Sequence, residues 1–204
     1  MIRLRDVGRS AILAEFEDLD TVLGYFRALD ADPVRGVQEI VPASRTLLVR
    51  YDPAQVTRDS VGEWITGATA LPPPDPGEAE EVQLAVRYDG PDLADVAEHT
   101  GLSVDEVVRA HTGTPWIVAF AGFAPGFGYL VDGDPRLRVP RRAEPRTAVP
   151  AGAVAVAGEF SGVYPRSSPG GWQLIGTTDT VVWDPEGTPP ALLRPGVRVR
   201  FTAM

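Results

Sequence analysis

The chain has 204 residues, a net charge of −9 and 44% hydrophobic side chains, the profile of an ordinary globular protein of one or two domains. It contains no cysteine, and every one of its 19 lysine-or-arginine positions is arginine. These absences exclude disulfides, thiolate catalysis, Fe–S clusters, cysteine-held zinc, a P-loop lysine, a Schiff-base lysine and a biotin-carrying lysine, and the acidic balance speaks against nucleic acid.

Arg3–Val7 and Ala11–Phe16 read as strands joined by a hairpin at Gly8-Arg9. Over Asp20–Leu29 the spacing predicts a helix with Val22, Leu23, Phe26 and Leu29 on one face. Val37–Val41 and Thr46–Tyr51 form a second strand pair, and Val56, Val61, Trp64 and Ile65 mark a closing helix. The order ββαββα predicts a small antiparallel sheet backed by two helices, a domain over residues 1–70 with a structural or docking use. Residues 71–81, prolines followed by acids, read as an extended linker, and a second domain occupies 82–204.

That domain opens with a strand at Val82–Arg87 and short helices at Asp92–His99 and Ser103–His111, joined at Gly101. Ser103 and Glu106 have the spacing of a capping box. From Trp116 onward helix signals vanish. Short β-rich runs follow at Trp116–Ala121, Val154–Ala157, Trp172–Thr177, Thr180–Trp183 and Val197–Thr202, the punctuation of a closed or sandwiched β structure. No run reaches the roughly 18 apolar residues of a membrane span, and the start has no apolar signal region, so a cytoplasmic protein is expected.

Two glycine- and proline-rich loops stand out, Gly122–Leu130 and Tyr164–Gly176. Glycine permits close backbone approach and proline fixes φ, so such loops hold particular shapes. In the first, Phe123, Pro125, Gly126 and Phe127 would shape a pocket; Tyr129, Tyr164 and Trp172 would add apolar walls, or simply belong to the core. In the second, Ser167, Ser168, Gly170 and Gly171 offer hydroxyls and backbone N–H groups, either as a nest for an anion or as an ordinary tight turn. Neither serine sits in a Gly-x-Ser-x-Gly elbow.

His111 is a candidate acid/base or substrate-orienting group, with a helix C-terminal cap as the alternative. Glu159 is a second candidate acid or base, the alternative being a solvated strand end. Arg136, Arg138, Arg141, Arg142 and Arg146 make either an anion-binding edge or a solvated loop partly paired to Asp132, Asp134 and Glu144. Asp89, Asp92 and Asp95 read as plain surface. With two histidines and no cysteine, no metal site is expected.

The run Gly122-Phe123-x-Pro125-Gly126-Phe127-x-Tyr129-Leu130, then Pro140-Arg141-Arg142-x-x-Pro145-Arg146, Val149-Pro150-Ala151-Gly152, Ala157-Gly158 and Gly162-Val163-Tyr164-Pro165-x-Ser167-x-Pro169-Gly170-Gly171-Trp172-x-Leu174-Ile175-Gly176, closely resembles the KipI-like family. The resemblance covers nearly the whole chain. It implies an α+β protein with a C-terminal cyclophilin-like β-barrel and a small N-terminal ββαββα domain. It further implies a subunit that, with KipA-like and LamB/YcsF-like subunits, opens 5-oxoproline to glutamate at the expense of ATP. The alternatives it carries are inhibition of a histidine kinase and a part in a urea carboxylase or allophanate hydrolase system. No cofactor is expected in this chain itself; ATP is expected for the assembled complex. On this resemblance the anionic end of 5-oxoproline would be held by the Ser167–Trp172 segment and the arginine group, with His111 orienting it or exchanging a proton. Where many relatives carry Ile-Gly-Arg-Thr, this chain has Ile175-Gly176-Thr177-Thr178; Phe160-Ser161-Gly162-Val163-Tyr164 replaces Gln-Thr-Gly-Ile-Tyr, and Gly128 stands where proline is usual.

Overall fold

Period-two burial builds the first sheet: Ile12 and Ala14 on one strand, and Leu47, Val49 and Tyr51 on its neighbour, all turn inward. The computed structural model describes residues 2–73 and 80–204, which fall into two units, Met1–Pro76 and Gly77–Met204. In the first unit, β1 (Arg3–Asp6), β2 (Ala11–Glu15), β3 (Val37–Pro42) and β4 (Thr46–Tyr51) pair antiparallel in the order β1-β2-β4-β3. Helices α1 (Leu19–Ala31) and α2 (Arg58–Gly67) add Val22, Leu29, Val61 and Ile65 to the same core. Each helix starts where a side chain captures a free backbone donor: Asp18 accepts from the Thr21 N–H at 2.8 Å, and Thr57 Oγ1 from the Ser60 N–H at 3.2 Å. The expected ββαββα order is the observed one.

Residues 74–79 of the expected linker lie outside the described residues. Its flanks belong to ordered structure. The Leu71 N–H donates to the Gly24 carbonyl at 3.0 Å, and the Leu71 carbonyl accepts from Arg27 Nη2 at 2.8 Å. Glu81, at the other end, already opens a strand.

The second unit is a seven-stranded sheet curled toward closure. Its members are β5 (Glu81–Val86), β6 (Trp116–Ala121), β7 (Gly128–Val131), β9 (Ala153–Ala157), β10 (Phe160–Val163), β12 (Gln173–Thr177) and β13 (Arg198–Ala203), and a separate two-stranded ribbon joins β8 (Arg146–Val149) to β11 (Ser168–Gly170). The order β12-β9-β10-β7-β6-β13-β5 is antiparallel except for the β13–β5 pair. Just beyond β5, Arg87 exchanges two backbone hydrogen bonds of 2.8 Å with Thr177 of β12, which brings the two edges together. A Cβ on Gly176 would lie 2.4 Å from the Arg87 carbonyl oxygen, so this seam depends on glycine. Helices α3 (Leu93–Thr100) and α4 (Val104–Gly113) pack Val96 and Val107 into the core that Leu84, Val154, Ile175 and Phe201 line. The Ser103/Glu106 capping box is formed in both directions, at 2.9 and 3.3 Å.

Strands β7, β8, β10 and β11 have no counterpart in the sequence expectation: each is only three or four residues long, and glycine, serine or proline dilutes the β signal of β7, β10 and β11. The strand expected at Thr180–Trp183 is corrected: Trp183 makes a single bridge to Ala191, while Val182 is buried and its carbonyl accepts from the Leu192 N–H at 3.0 Å. Its apolar residues are anchors of an irregular loop. Among the described residues, no helix is long and apolar enough to cross a membrane.

Candidate functional site

Strand β9 is buried on both faces, and its side chains are sorted by size. Val154 and Val156 belong to the barrel core, whereas Ala153, Ala155 and Ala157 belong to a second cluster with Phe127, Tyr164 and Trp172. Methyl side chains leave space on that face for large rings. Phe127 occupies its centre, edge-on to Phe123, Tyr129, Tyr164 and Trp172 at centroid distances of 5.4, 5.1, 5.3 and 5.4 Å.

Backbone constraints set both loops around this cluster. In the β6–β7 loop the Phe127 N–H donates to the Ala124 carbonyl at 3.0 Å and the Gly122 N–H to the Phe127 carbonyl at 3.2 Å. Gly126, at φ +80°, faces Trp183, whose Cβ would stand 2.5 Å from any added Cβ. Phe123 adopts φ +66° without being glycine, a conformation that costs about 1 kcal/mol, and the residue remains 58% exposed. In the second loop, a Cβ on Gly170 would meet Tyr164 Oη at 2.3 Å. That residue is therefore glycine because the phenol lies against its backbone.

Between the loops is an open cleft of about 70 Å³. Of the expected site residues, Phe123, Phe127, Tyr164, Gly170, Gly171 and Trp172 line it, joined by Tyr129 and Arg141. Pro125 and Ser167 are exposed outside the lining, and Gly126 serves the loop's contact with Trp183. Ser168 sits in β11, its hydroxyl donating to the Arg166 carbonyl at 3.3 Å. Burial pushes the Tyr129 and Tyr164 phenols up, while the Arg141 charge pulls each back down. The net rise keeps both as hydroxyls at neutral pH.

His111 and Glu159 are not brought to this cleft. His111 is completely buried in α4, its Nδ1 2.8 Å from Tyr88 Oη and its Nε2 2.8 Å from Ser161 Oγ. Ser161 also donates to the Ala155 carbonyl at 3.3 Å, which leaves its oxygen to accept from an Nε2–H and Nδ1 to accept from Tyr88. The ring lies 4.2 Å from Phe201, centroid to centroid, and burial lowers its pKa to about 3. At neutral pH it is an uncharged imidazole pinning strand β10 to α4. Glu159 stands in the β9–β10 turn with a 41% exposed side chain, 3.5 Å from Arg138.

The arginine group divides sharply. Arg136 pairs with Asp134 at 2.5 Å and Arg138 with Glu159, while Arg142 and Arg146 converge on Asp92. Asp92, expected at the surface, is 1% exposed. It accepts from Arg142 at 2.5 Å, twice from Arg146 at 2.8 Å, and from the Leu174 N–H at 2.7 Å. Burial pushes its carboxyl up, but those hydrogen bonds and both charges outweigh it and hold the pKa below the usual carboxylate range. Arg141, between these anchors, has no carboxylate partner among the described residues and faces the cleft. Tyr129, expected as an apolar wall, and Arg141, expected among the anion-binding arginines, both stand in the runs quoted above; their spacing does not show that they meet at one cleft.

The lining offers rings, phenolic hydroxyls and one guanidinium, with no carboxylate, imidazole or serine. It is chemistry for holding a small planar anion, and it lacks a strong base. Among the described residues no cluster of three His, Cys, Asp or Glu is placed to hold a metal ion.

Residues 2–193 match the family described as carboxyltransferase domain, subdomain C and D. A protein of Escherichia coli O157:H7, named as the B-subunit of 5-oxoprolinase, is 39% identical, over 96% of this chain and 93% of that protein. Its namesake from Bacillus subtilis strain 168 is 36% identical, over 98% and 91%. The crystal structure of TTHA0988 superposes on the whole chain with a TM-score of 0.77 and 38% identity, and the match spans 40% of that longer protein.

Proposed function

The chain belongs to the family of the carboxyltransferase domain, subdomains C and D, and from that premise we propose that it is the B-subunit of an ATP-dependent 5-oxoprolinase, contributing one wall of a substrate site that partner subunits complete. The observation that carries this reading is near end-to-end similarity to the E. coli protein, at 39% identity. The cleft supports it. 5-Oxoproline is a small ring with a planar amide and a carboxylate, which suits aromatic walls beside a guanidinium.

Opening the ring takes an activated carbonyl and a base that moves a proton, and the cleft supplies no strong base. Phosphoryl chemistry takes a nucleotide site, and this chain has no P-loop lysine to hold one in the familiar way. ATP is therefore handled by the partner chains in this proposal, a KipA-like and a LamB/YcsF-like subunit, and the isolated chain is inactive. Here Phe123, Phe127, Tyr164 and Trp172 orient the ring, and Gly170 makes the room in which the Tyr164 phenol is seated. His111 acts from beneath by fixing β10, the strand that leads directly into Tyr164.

The test is reconstitution. The chain is combined with its two partner subunits and 5-oxoproline-dependent ATP hydrolysis is measured, with each component omitted in turn. Turnover only with all of them present is the expected result. A confirmed complete assembly that leaves 5-oxoproline untouched overturns the proposal.

A further inference from the structure

Arg141 is held where it is from both sides. The carbonyl of Pro140, before it, accepts from Gln173 Nε2 at 3.2 Å, and the N–H of Arg142, after it, donates to the Gly171 carbonyl at 2.8 Å. Arg142 is further locked by its 2.5 Å contact with the buried Asp92. Thus the backbone at 141 is fastened to the second loop, and its side chain is delivered to the cleft by a rigid frame rather than by a free surface segment.

The frame does not neutralise this arginine. Its neighbours in the group each have a carboxylate within 3.5 Å, whereas Arg141 has none among the described residues. It lines the same cleft as the two phenols, Tyr129 and Tyr164, and its charge lowers the pKa of each. A guanidinium presents a planar fork of donors that matches a carboxylate, and phenolic O–H groups are donors as well. A neutral amide could accept a hydrogen bond from it but would leave the charge uncompensated once its water is stripped, which is unfavourable.

We propose that Arg141, with the Tyr129 and Tyr164 hydroxyls, is the carboxylate-binding group of the cleft, and that the cleft therefore selects small ring-bearing monocarboxylates over neutral amides of the same size. This inference rests on the reading of the cleft as a substrate wall. It deepens that reading by separating a 5-oxoproline-type ligand from urea-type ones.

Two measurements test it. In the reconstituted complex, Arg141→Ala raises KM for 5-oxoproline at least tenfold with kcat far less affected, and Arg141→Lys, which keeps the charge but not the fork, recovers part of the loss. In the full-length chain alone, Trp172 fluorescence reports 5-oxoproline binding, the carboxylate-free ring 2-pyrrolidinone binds at least tenfold more weakly, and Arg141→Ala abolishes the difference. An active complex whose KM ignores Arg141→Ala overturns the inference and leaves the oxoprolinase reading standing. Carboxylate selectivity in the chain together with a complex that does not turn over 5-oxoproline does the reverse. Loss of assembly in Arg141→Ala, or no carboxylate response in either preparation, overturns the inference, the former by assigning Arg141 to an interface with a partner chain.

Discussion

Arg146 grips both oxygens of Asp92 at 2.8 Å across 54 positions of sequence. The pair, with Arg142, ties the start of α3 to the loop that carries Arg141. Replacing Asp92 by alanine leaves two guanidiniums facing each other with their partner gone. Both are about a quarter exposed, at 29% and 24%, so water relieves part of the penalty. The expected destabilisation is about 3 kcal/mol, read as a lower urea midpoint at unchanged m-value. A loss below about 0.5 kcal/mol would show the network to be ornamental.

Gly170→Ala places a methyl group on the Tyr164 hydroxyl, against which the glycine now packs at an equivalent Cβ distance of 2.3 Å. Overpacking of this kind costs about 1–3 kcal/mol, and the shifted ring narrows the cleft. Activity of the assembled enzyme should fall at least tenfold. Tyr164→Phe removes the clashing oxygen, so the double variant should regain much of the stability but not the activity. Additive stability losses in the double-mutant cycle would contradict this geometry.

His111 should make the fold sensitive to acid. Its folded pKa is depressed to about 3 while the unfolded chain titrates near 6.5, so the unfolded state takes up the proton first. Stability from this residue is fully present above about pH 6.5 and drains away as pH falls toward 3, by about 1.4 kcal/mol per unit. The difference in unfolding free energy between wild type and His111→Gln should therefore shrink by about 2 kcal/mol between pH 6.5 and pH 5. Parallel pH profiles for the two proteins would refute it.

Phe123→Gly should separate stability from function. Glycine accepts φ +66° freely, so relief of strain offsets its greater chain entropy, and thermal stability should stay within about 1 kcal/mol of wild type. The same change removes a ring that lines the cleft, and KM for 5-oxoproline in the complex should rise severalfold. A large drop in melting temperature would instead mark Phe123 as part of the packed core.

Much of this molecule is legible from local pattern. Period-two and helical spacing place the first unit's sheet and helices, the capping box sits where Ser103 and Glu106 put it, and the two glycine-rich loops do form the walls of one cleft. What escapes is whatever depends on distant partners. Asp92 looks like surface until Arg142 and Arg146 arrive from 50 and 54 residues away. His111 looks like a helix-end residue available for chemistry, since nothing nearby in sequence announces Tyr88 and Ser161. Arg141 is hidden by resemblance to its neighbours: five arginines look alike in a string, and only the positions of the carboxylates tell them apart. Short strands such as Ser168–Gly170 are invisible for another reason, their pairing with β8 being imposed by the ribbon rather than by their own propensity.

The alternation of valine and alanine along β9 makes one strand the common ruler of two compartments. Sliding it by a single residue would push valines beneath the aromatic rings and leave methyl-sized gaps inside the barrel, so the register is fixed from both directions at once. The depth of the cleft is then written on a strand whose side chains never touch solvent. A change such as Ala155→Val would raise the floor under Phe127 and Trp172 while every lining residue stayed the same, giving evolution a way to retune ligand size from below.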